Sequence, residues 1–261
     1  MEPLLVTGGT GKLGRAVVRR LGDGGREVRV LSRRERPSGP AAAYRHVVGD
    51  LRTGRGLDDA VRGVGAVVHC ATTYGRGDVA ATRNLIDAAL RSGSRPHLVY
   101  VSIVGVDVIP VPYYRDKLAA ERMIADCGLP WTVQRATQFH DLVAAFFAWQ
   151  RRLPLTLALR RFRFQPIDVR DVADRLAGLA LSEPAGRAPD IGGPQVCDMR
   201  DLAAAYNRAH GLRRRVVSLP VPGRIARAFA GGANLVPHHG VGTLTFADFL
   251  AGRREREEDG A

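Results

Sequence analysis

Eight residues near the amino terminus, Thr7-Gly8-Gly9-Thr10-Gly11-Lys12-Leu13-Gly14, carry the first recognisable chemistry of the chain. Glycines at 8, 11 and 14 stand between a short apolar run and an amphipathic one. At such a strand-to-helix turn the first glycine allows a tight bend and the second lets a pyrophosphate approach the backbone. The third lets helix and sheet pack closely. The helix start then offers free N–H groups and a partial positive charge to phosphate. The turn is therefore expected to hold a dinucleotide through Gly8, Thr10, Gly11, Lys12, Leu13 and Gly14. A second constellation lies further on. Tyr113 and Lys117 are four residues apart at the start of a helix and share a face. A phenol with a pKa of about 10 is a poor acid–base group until a nearby ammonium stabilises its phenolate. The pair therefore reads as a proton-exchanging tyrosine tuned by a lysine.

These residues need elements to position them. Over the first 136 residues apolar runs alternate with amphipathic segments. Strands are expected at Leu4–Thr7, Glu27–Leu31, Tyr44–Val48, Ala66–Cys70, His97–Val104 and Trp131–Ala136. Helices are expected at Lys12–Leu21, Leu57–Val61, Val79–Arg91 and Tyr114–Asp126. Such alternation builds βαβ units and a parallel sheet, so the fold class is α/β, a Rossmann-type doubly wound parallel sheet. Beyond residue 137 helices are expected at Phe139–Gln150, Val169–Leu181 and Met199–His210. An irregular stretch is expected at Pro154–Gln165, a short strand and turn at Asp190–Gly193, and a frayed polar tail after Gly252. The expected organisation is a single domain, 1–261, with a dinucleotide-binding core at 1–136 and a small substrate-side extension at 137–261.

The glycine spacing is Gly-x-x-Gly-x-x-Gly, and in that respect the chain resembles the short-chain dehydrogenase/reductase superfamily in its extended and atypical branches, closest in detail to the NmrA-like group. Further matches follow in the family's order: Asp50-Leu51, Cys70-Ala71-Thr72, Asn84-Leu85-Ile86-Asp87-Ala88-Ala89, Val101-Ser102-Ile103-Val104-Gly105-Val106-Asp107 and Tyr113-Tyr114-Arg115-Asp116-Lys117. The resemblance implies that Asp50 and Leu51 contact adenine and that Cys70, Ala71 and Thr72 line the cofactor trough. It also implies that Ser102 orients a substrate carbonyl and that Lys117 reaches the nicotinamide ribose. Arg33, where NAD-binding members carry an acidic residue, suits the 2′-phosphate of NADP, since a guanidinium fork matches phosphate. NADP is the expected cofactor, with NAD possible. Asp78 departs from the asparagine of catalytic relatives, and Tyr114 competes for the role of Tyr113. The expected activity is NADP(H)-dependent transfer of a hydride to or from a small carbonyl, quinone or similar acceptor. A redox sensor without turnover and a sugar-nucleotide epimerase or dehydratase are the alternatives.

Composition bounds the rest. The net charge is +13, yet of 39 basic residues only Lys12 and Lys117 are lysine, and the arginines fall in short scattered clusters. No nucleic-acid-reading motif accompanies them, so specific nucleic-acid binding is not expected. Both lysines sit at family positions, where the compact ammonium is not interchangeable with arginine. No apolar run reaches the ~18 residues of a membrane span, and no signal-peptide layout opens the chain. Cys70, Cys127 and Cys197 lack metal-ligand spacing and read as free thiols in a reducing compartment, which points to the cytoplasm. His238-His239 has no companion ligands, so no metal is expected. The expected partner is a small-molecule substrate, and the expected state a monomer or homodimer.

Overall fold

The computed structural model describes residues 2–35, 44–73 and 77–258, the last five without their side chains. In chain order the elements begin β1 (Leu4–Thr7), α1 (Lys12–Asp23), β2 (Val28–Ser32), β3 (Arg45–Val48), α2 (Leu57–Val61), β4 (Ala66–His69), α3 (Gly77–Arg91), β5 (His97–Ile103), α4 (Pro112–Ala125) and β6 (Trp131–Ala136). They continue with α5 (His140–Trp149), β7 (Thr156–Leu159), β8 (Arg163–Phe164), α6 (Val169–Ala180), β9 (Gly186–Arg187), β10 (Cys197–Asp198), α7 (Met199–Ala209), β11 (Val216–Leu219), α8 (Arg224–Ala230), a 3₁₀ turn (Pro237–His239) and α9 (Phe246–Glu258). Two compact units result. The first comprises Met1–Ser102, Val111–Arg135 and Val172–Pro189, and the second Ile103–Pro110, Ala136–Asp171 and Asp190–Ala261.

The first unit is built on a seven-stranded sheet in the order β3-β2-β1-β4-β5-β6-β9. β1 runs parallel to both β2 and β4, and β4 parallel to β5. The central strands Leu-Leu-Val-Thr and Ala-Val-Val-His are buried at every position, as expected of strands covered on both faces. Leu5, Leu57, Val67, Leu85, Leu98 and Ile124 belong to the core that α2, α3 and α4 press onto the sheet. α1 buries Leu13, Val17, Val18 and Leu21 and keeps Arg15, Arg19 and Arg20 outside. α4 starts at Pro112, whose missing N–H costs nothing in a first turn. It is fixed to β6 by a buried, two-pronged ion pair: Arg135 Nε donates to Glu121 Oε1 at 2.8 Å and Nη2 to Oε2 at 2.7 Å.

The second unit departs from the sequence reading in two places. Pro154–Gln165 is not irregular. β7 pairs in parallel with β11, and β8 pairs antiparallel with β10. In β7 it is Thr156 and Ala158 that are buried and the two leucines that are half-exposed, which inverts the usual alternation signal. Its partner also lies some sixty residues away. Residues 259–261 lie outside the described residues, but past Gly252, where the sequence suggests a frayed tail, α9 likewise continues to Glu258. Phe246, Phe249 and Leu250 anchor it in the core, and Phe249 stacks on His140 with ring centroids 5.2 Å apart. Phe162 and Phe229 form a second stack at 5.0 Å.

Candidate active site

In the sheet order the chain leaves β1 for β2 on one side and returns to β4 on the other. The carboxyl ends of β1 and β4 therefore flank a topological switch point, the place where open α/β sheets take ligands. The glycine turn follows β1, and Cys70-Ala71-Thr72 follows β4.

Gly8 has φ +69°, and a Cβ there would lie 2.6 Å from the Ala71 nitrogen. A Cβ on Gly14 would collide with the Gly8 carbonyl. Both positions therefore require glycine, for backbone conformation in the first case and close packing in the second. Gly11 caps α1 in an extended conformation. A Cβ there would meet only the Gly8 oxygen at 3.3 Å, so its outer side is open to a ligand. Thr10, Gly11 and Lys12 are exposed, while the Leu13 side chain is buried, leaving its backbone N–H as the group it can offer. The first turn of α1 holds no acidic residue to oppose an anion.

Around this turn stand the other cofactor candidates. Arg33 lies just past β2 and is exposed, with no partner for its guanidinium among the described residues. Asp50 accepts a hydrogen bond from the Arg52 N–H at 2.8 Å. The Leu51 carbonyl accepts one from Asn84 Nδ2, also at 2.8 Å, which pins this turn to α3. Cys70 and Ala71 are half-buried, and burial pushes the Cys70 thiol up to about 12, far from a reactive thiolate.

A buried polar row crosses the carboxyl ends of β1, β4 and β5. Thr7, His69 and Tyr100 are brought side by side by the strand register. Thr7 Oγ1 and His69 Nδ1 are hydrogen-bonded at 2.6 Å, and His69 Nε2 meets Thr82 Oγ1 at 3.2 Å. The His69 ring stacks on Tyr100 at 5.4 Å. Burial, reinforced by the charge of Lys117, pushes His69 down to about 3, so it is a neutral imidazole. Lys117 Nζ lies over the Tyr100 ring, 4.2 Å from its centroid, and donates to the Val101 carbonyl at 2.8 Å. Burial lowers it to about 8, against the opposing pull of Asp78, Cys70 and Glu121. Ser102, two residues beyond Tyr100 on the same strand face, is buried with no hydrogen-bond partner for its hydroxyl among the described residues.

Of the neighbouring tyrosines, Tyr114 is buried in the core while Tyr113 is half-buried, its hydroxyl 3.0 Å from Thr72 Oγ1. Thr72 in turn donates to Asp78 Oδ2 at 2.6 Å. The structure thus joins Tyr113 to Thr72, and Lys117 to the strand that carries Ser102. His69 and Thr82 are absent from the sequence reading, which has Thr7 only as the first residue of the glycine turn. The signal for Thr7 and His69 is a polar residue closing each of two otherwise apolar strands, Leu-Leu-Val-Thr and Ala-Val-Val-His, while Thr82 lies on α3. Gln138 and His140, between β6 and α5 and at the start of α5, are tied into the second unit by Asn234 and by the Leu244 carbonyl. Among the described residues no group of three or more His, Cys, Asp or Glu side chains could hold a metal ion. No described helix is long and apolar enough to cross a membrane.

The profile of a family described as NAD(P)H-binding matches residues 8–179. The (4-alkanoyl-5-oxo-2,5-dihydrofuran-3-yl)methyl phosphate reductase of Streptomyces griseus is 32% identical over 225 residues, covering 84% of this chain and 77% of that protein. An NAD(P)H azoreductase from Xenophilus azovorans is 28% identical over 221 residues, 83% of this chain and 77% of the azoreductase. Among solved structures, the NADPH complex of the Escherichia coli NADPH-dependent quinone oxidoreductase QOR2 superposes with a TM-score of 0.81 at 17% identity. It covers 96% of this chain and 99% of that one.

Proposed function

The chain belongs to a family described as NAD(P)H-binding, and we propose that it is an atypical short-chain dehydrogenase/reductase, an NADP(H)-dependent oxidoreductase acting on a small carbonyl, quinone or similar acceptor. The observation that carries this reading is the side-by-side arrangement, at the carboxyl edge of β1, β4 and β5, of a glycine cradle with buried Ser102 and Lys117. The residues fit a dinucleotide. A side chain at Gly8 or Gly14 would collide with the backbone of Ala71 or Gly8, Gly11 leaves the outer side of the turn open to a ligand, and the first turn of α1 carries no acidic residue. The reductases that the chain resembles are named for an oxo-dihydrofuran phosphate, an azo acceptor and a quinone, which supports reduction without fixing the acceptor.

When bound, the nicotinamide supplies or takes the hydride. The chain's own residues do the rest. Backbone N–H groups of Lys12, Leu13 and Gly14 hold phosphate at the α1 start. Arg33 pairs with a 2′-phosphate, which selects NADP over NAD. The Ser102 hydroxyl, without a partner among the described residues, donates to the acceptor oxygen. Tyr113 exchanges the proton at its Oη. Lys117, at about 8, is mostly charged at neutral pH and contributes a fixed positive charge beside Tyr100 and Val101. A regulator that binds NADP(H) without turnover is the rival reading, and the Lys117 ammonium, spent on the Val101 carbonyl, favours it. A screen of NADPH and NADH oxidation over carbonyls and quinones separates the two. Turnover of at least one acceptor with NADPH preferred is expected, and tight NADPH binding with no turnover of any would install the regulator instead.

A further inference from the structure

Thr72 stands between two groups of opposite need. Its hydroxyl hydrogen is committed to the carboxylate of Asp78 at 2.6 Å, because an ionised carboxylate only accepts. Its oxygen therefore faces the Tyr113 hydroxyl, 3.0 Å away, as an acceptor. Asp78 is itself anchored: Oδ1 accepts from the Thr73 N–H at 2.5 Å and from the Thr73 hydroxyl at 2.7 Å. It sits in the first turn of α3 and is 4% exposed. The carboxylate is thus a rigid, buried post that dictates the rotor of Thr72.

We infer that Thr72, held by Asp78, is a positioning residue for the proton of Tyr113 rather than only a lining of the cofactor trough. In the resting site Tyr113 donates to Thr72, which holds the phenol proton in a defined direction. Once Tyr113 has given that proton to an acceptor, its phenolate oxygen becomes the stronger claimant. The Thr72 hydroxyl then turns to donate to it while Asp78 keeps its two bonds from Thr73. One hydroxyl thereby serves the neutral tyrosine as acceptor and the phenolate as donor. The proton count is closed: one proton leaves Tyr113 for the acceptor, and Thr72 changes partner without losing its own. This role rests on the acid–base assignment of Tyr113 made above.

The direction of the two hydrogens is testable without turnover. A neutron structure of the deuterated protein should place the Tyr113 deuteron on the line to Thr72 Oγ1 and the Thr72 deuteron on the line to Asp78. A Thr72 deuteron pointing at Tyr113 would overturn the inference, whatever the protein's activity. The kinetic arm uses Thr72→Val, which keeps the shape and removes the hydroxyl, and Thr72→Ser, which restores it. With an acceptor that the wild type turns over, the valine variant should lose at least tenfold in kcat. Acceptor KM and NADPH Kd should stay within about threefold, and serine should recover most of the rate. Valine without effect on kcat, a loss in NADPH affinity as large as the loss in kcat, or no rescue by serine would each show that Thr72 does not act through Tyr113. Failure of the acceptor screen with the expected deuteron positions would sink the enzyme reading and leave the hydrogen-bond assignment standing.

Discussion

At the scale of single residues, charge and burial decide what each group can do. Arg33 is exposed just past β2 with a guanidinium that no described residue engages, so its removal disturbs no bond among the described residues. Arg33→Ala should weaken NADPH binding by about tenfold or more, the worth of one charge-assisted hydrogen bond of ~1.5–3 kcal/mol, and leave NADH affinity nearly unchanged. Titrating both nucleotides against both proteins checks this, and equal losses would place Arg33 in the fold rather than on the phosphate. His69 makes a different prediction. Its folded value of about 3 lies far below the ordinary histidine value of about 6.5. The unfolded chain therefore takes up a proton that the folded chain refuses between those limits, and stability must fall as pH drops from about 6.5 to about 3. The slope approaches ~1.4 kcal/mol per pH unit from this group alone, and buried His97 and His140 push the same way. Denaturant midpoints across that window should fall with pH, less steeply in His69→Asn. Glycines, Tyr113 and Lys117 were legible in sequence because their spacing is local. His69 was not, since its partners Thr7 and Thr82 reach it only through strand register and a packed helix.

Elements place those residues, and the strongest positioning device is the tie between α4 and β6. α4 carries both Tyr113 and Lys117, and Glu121 on its inner face meets Arg135 with two short bonds in a buried setting. Removing one partner strands the other charge, so Glu121→Ala should destabilise the fold by ~3–5 kcal/mol. An apolar pair, Glu121→Leu with Arg135→Met, should recover most of that loss, because it leaves no buried charge. Chemical denaturation of the three proteins reads the result, and full stability in the single variant would contradict the account. The central strands could be read from the sequence because β1, β4 and most of β5 are apolar runs. β7 and α9 could not. β7 turns its small and polar residues inward and pairs with a strand far along the chain. α9 is a charged segment whose helix depends on Phe246 and Phe249 reaching the core.

For the molecule as a whole, a charge of +13 makes attraction to polyanions unavoidable. The prediction is that any DNA binding is indifferent to sequence and collapses between about 50 and 200 mM salt, as counterion release requires. A sequence-specific footprint surviving at about 150 mM salt would demand a different function. The same basic surface leaves the oxidoreductase reading untouched, because that reading depends on what one tyrosine does. Tyr113→Phe keeps ring, volume and helix and deletes the hydroxyl at Thr72. NADPH affinity should stay close to that of the wild type, since in the proposed site the nucleotide would be held by the glycine turn, Arg33 and Lys117. Turnover of a reducible acceptor should fall by about 10²–10⁴, the usual worth of a general acid. Tyr114→Phe, altering a ring packed in the core, should be mild. The decisive measurement is therefore kcat and NADPH Kd for Tyr113→Phe side by side: a large loss in kcat at unchanged Kd is predicted, and unchanged kcat would contradict the account.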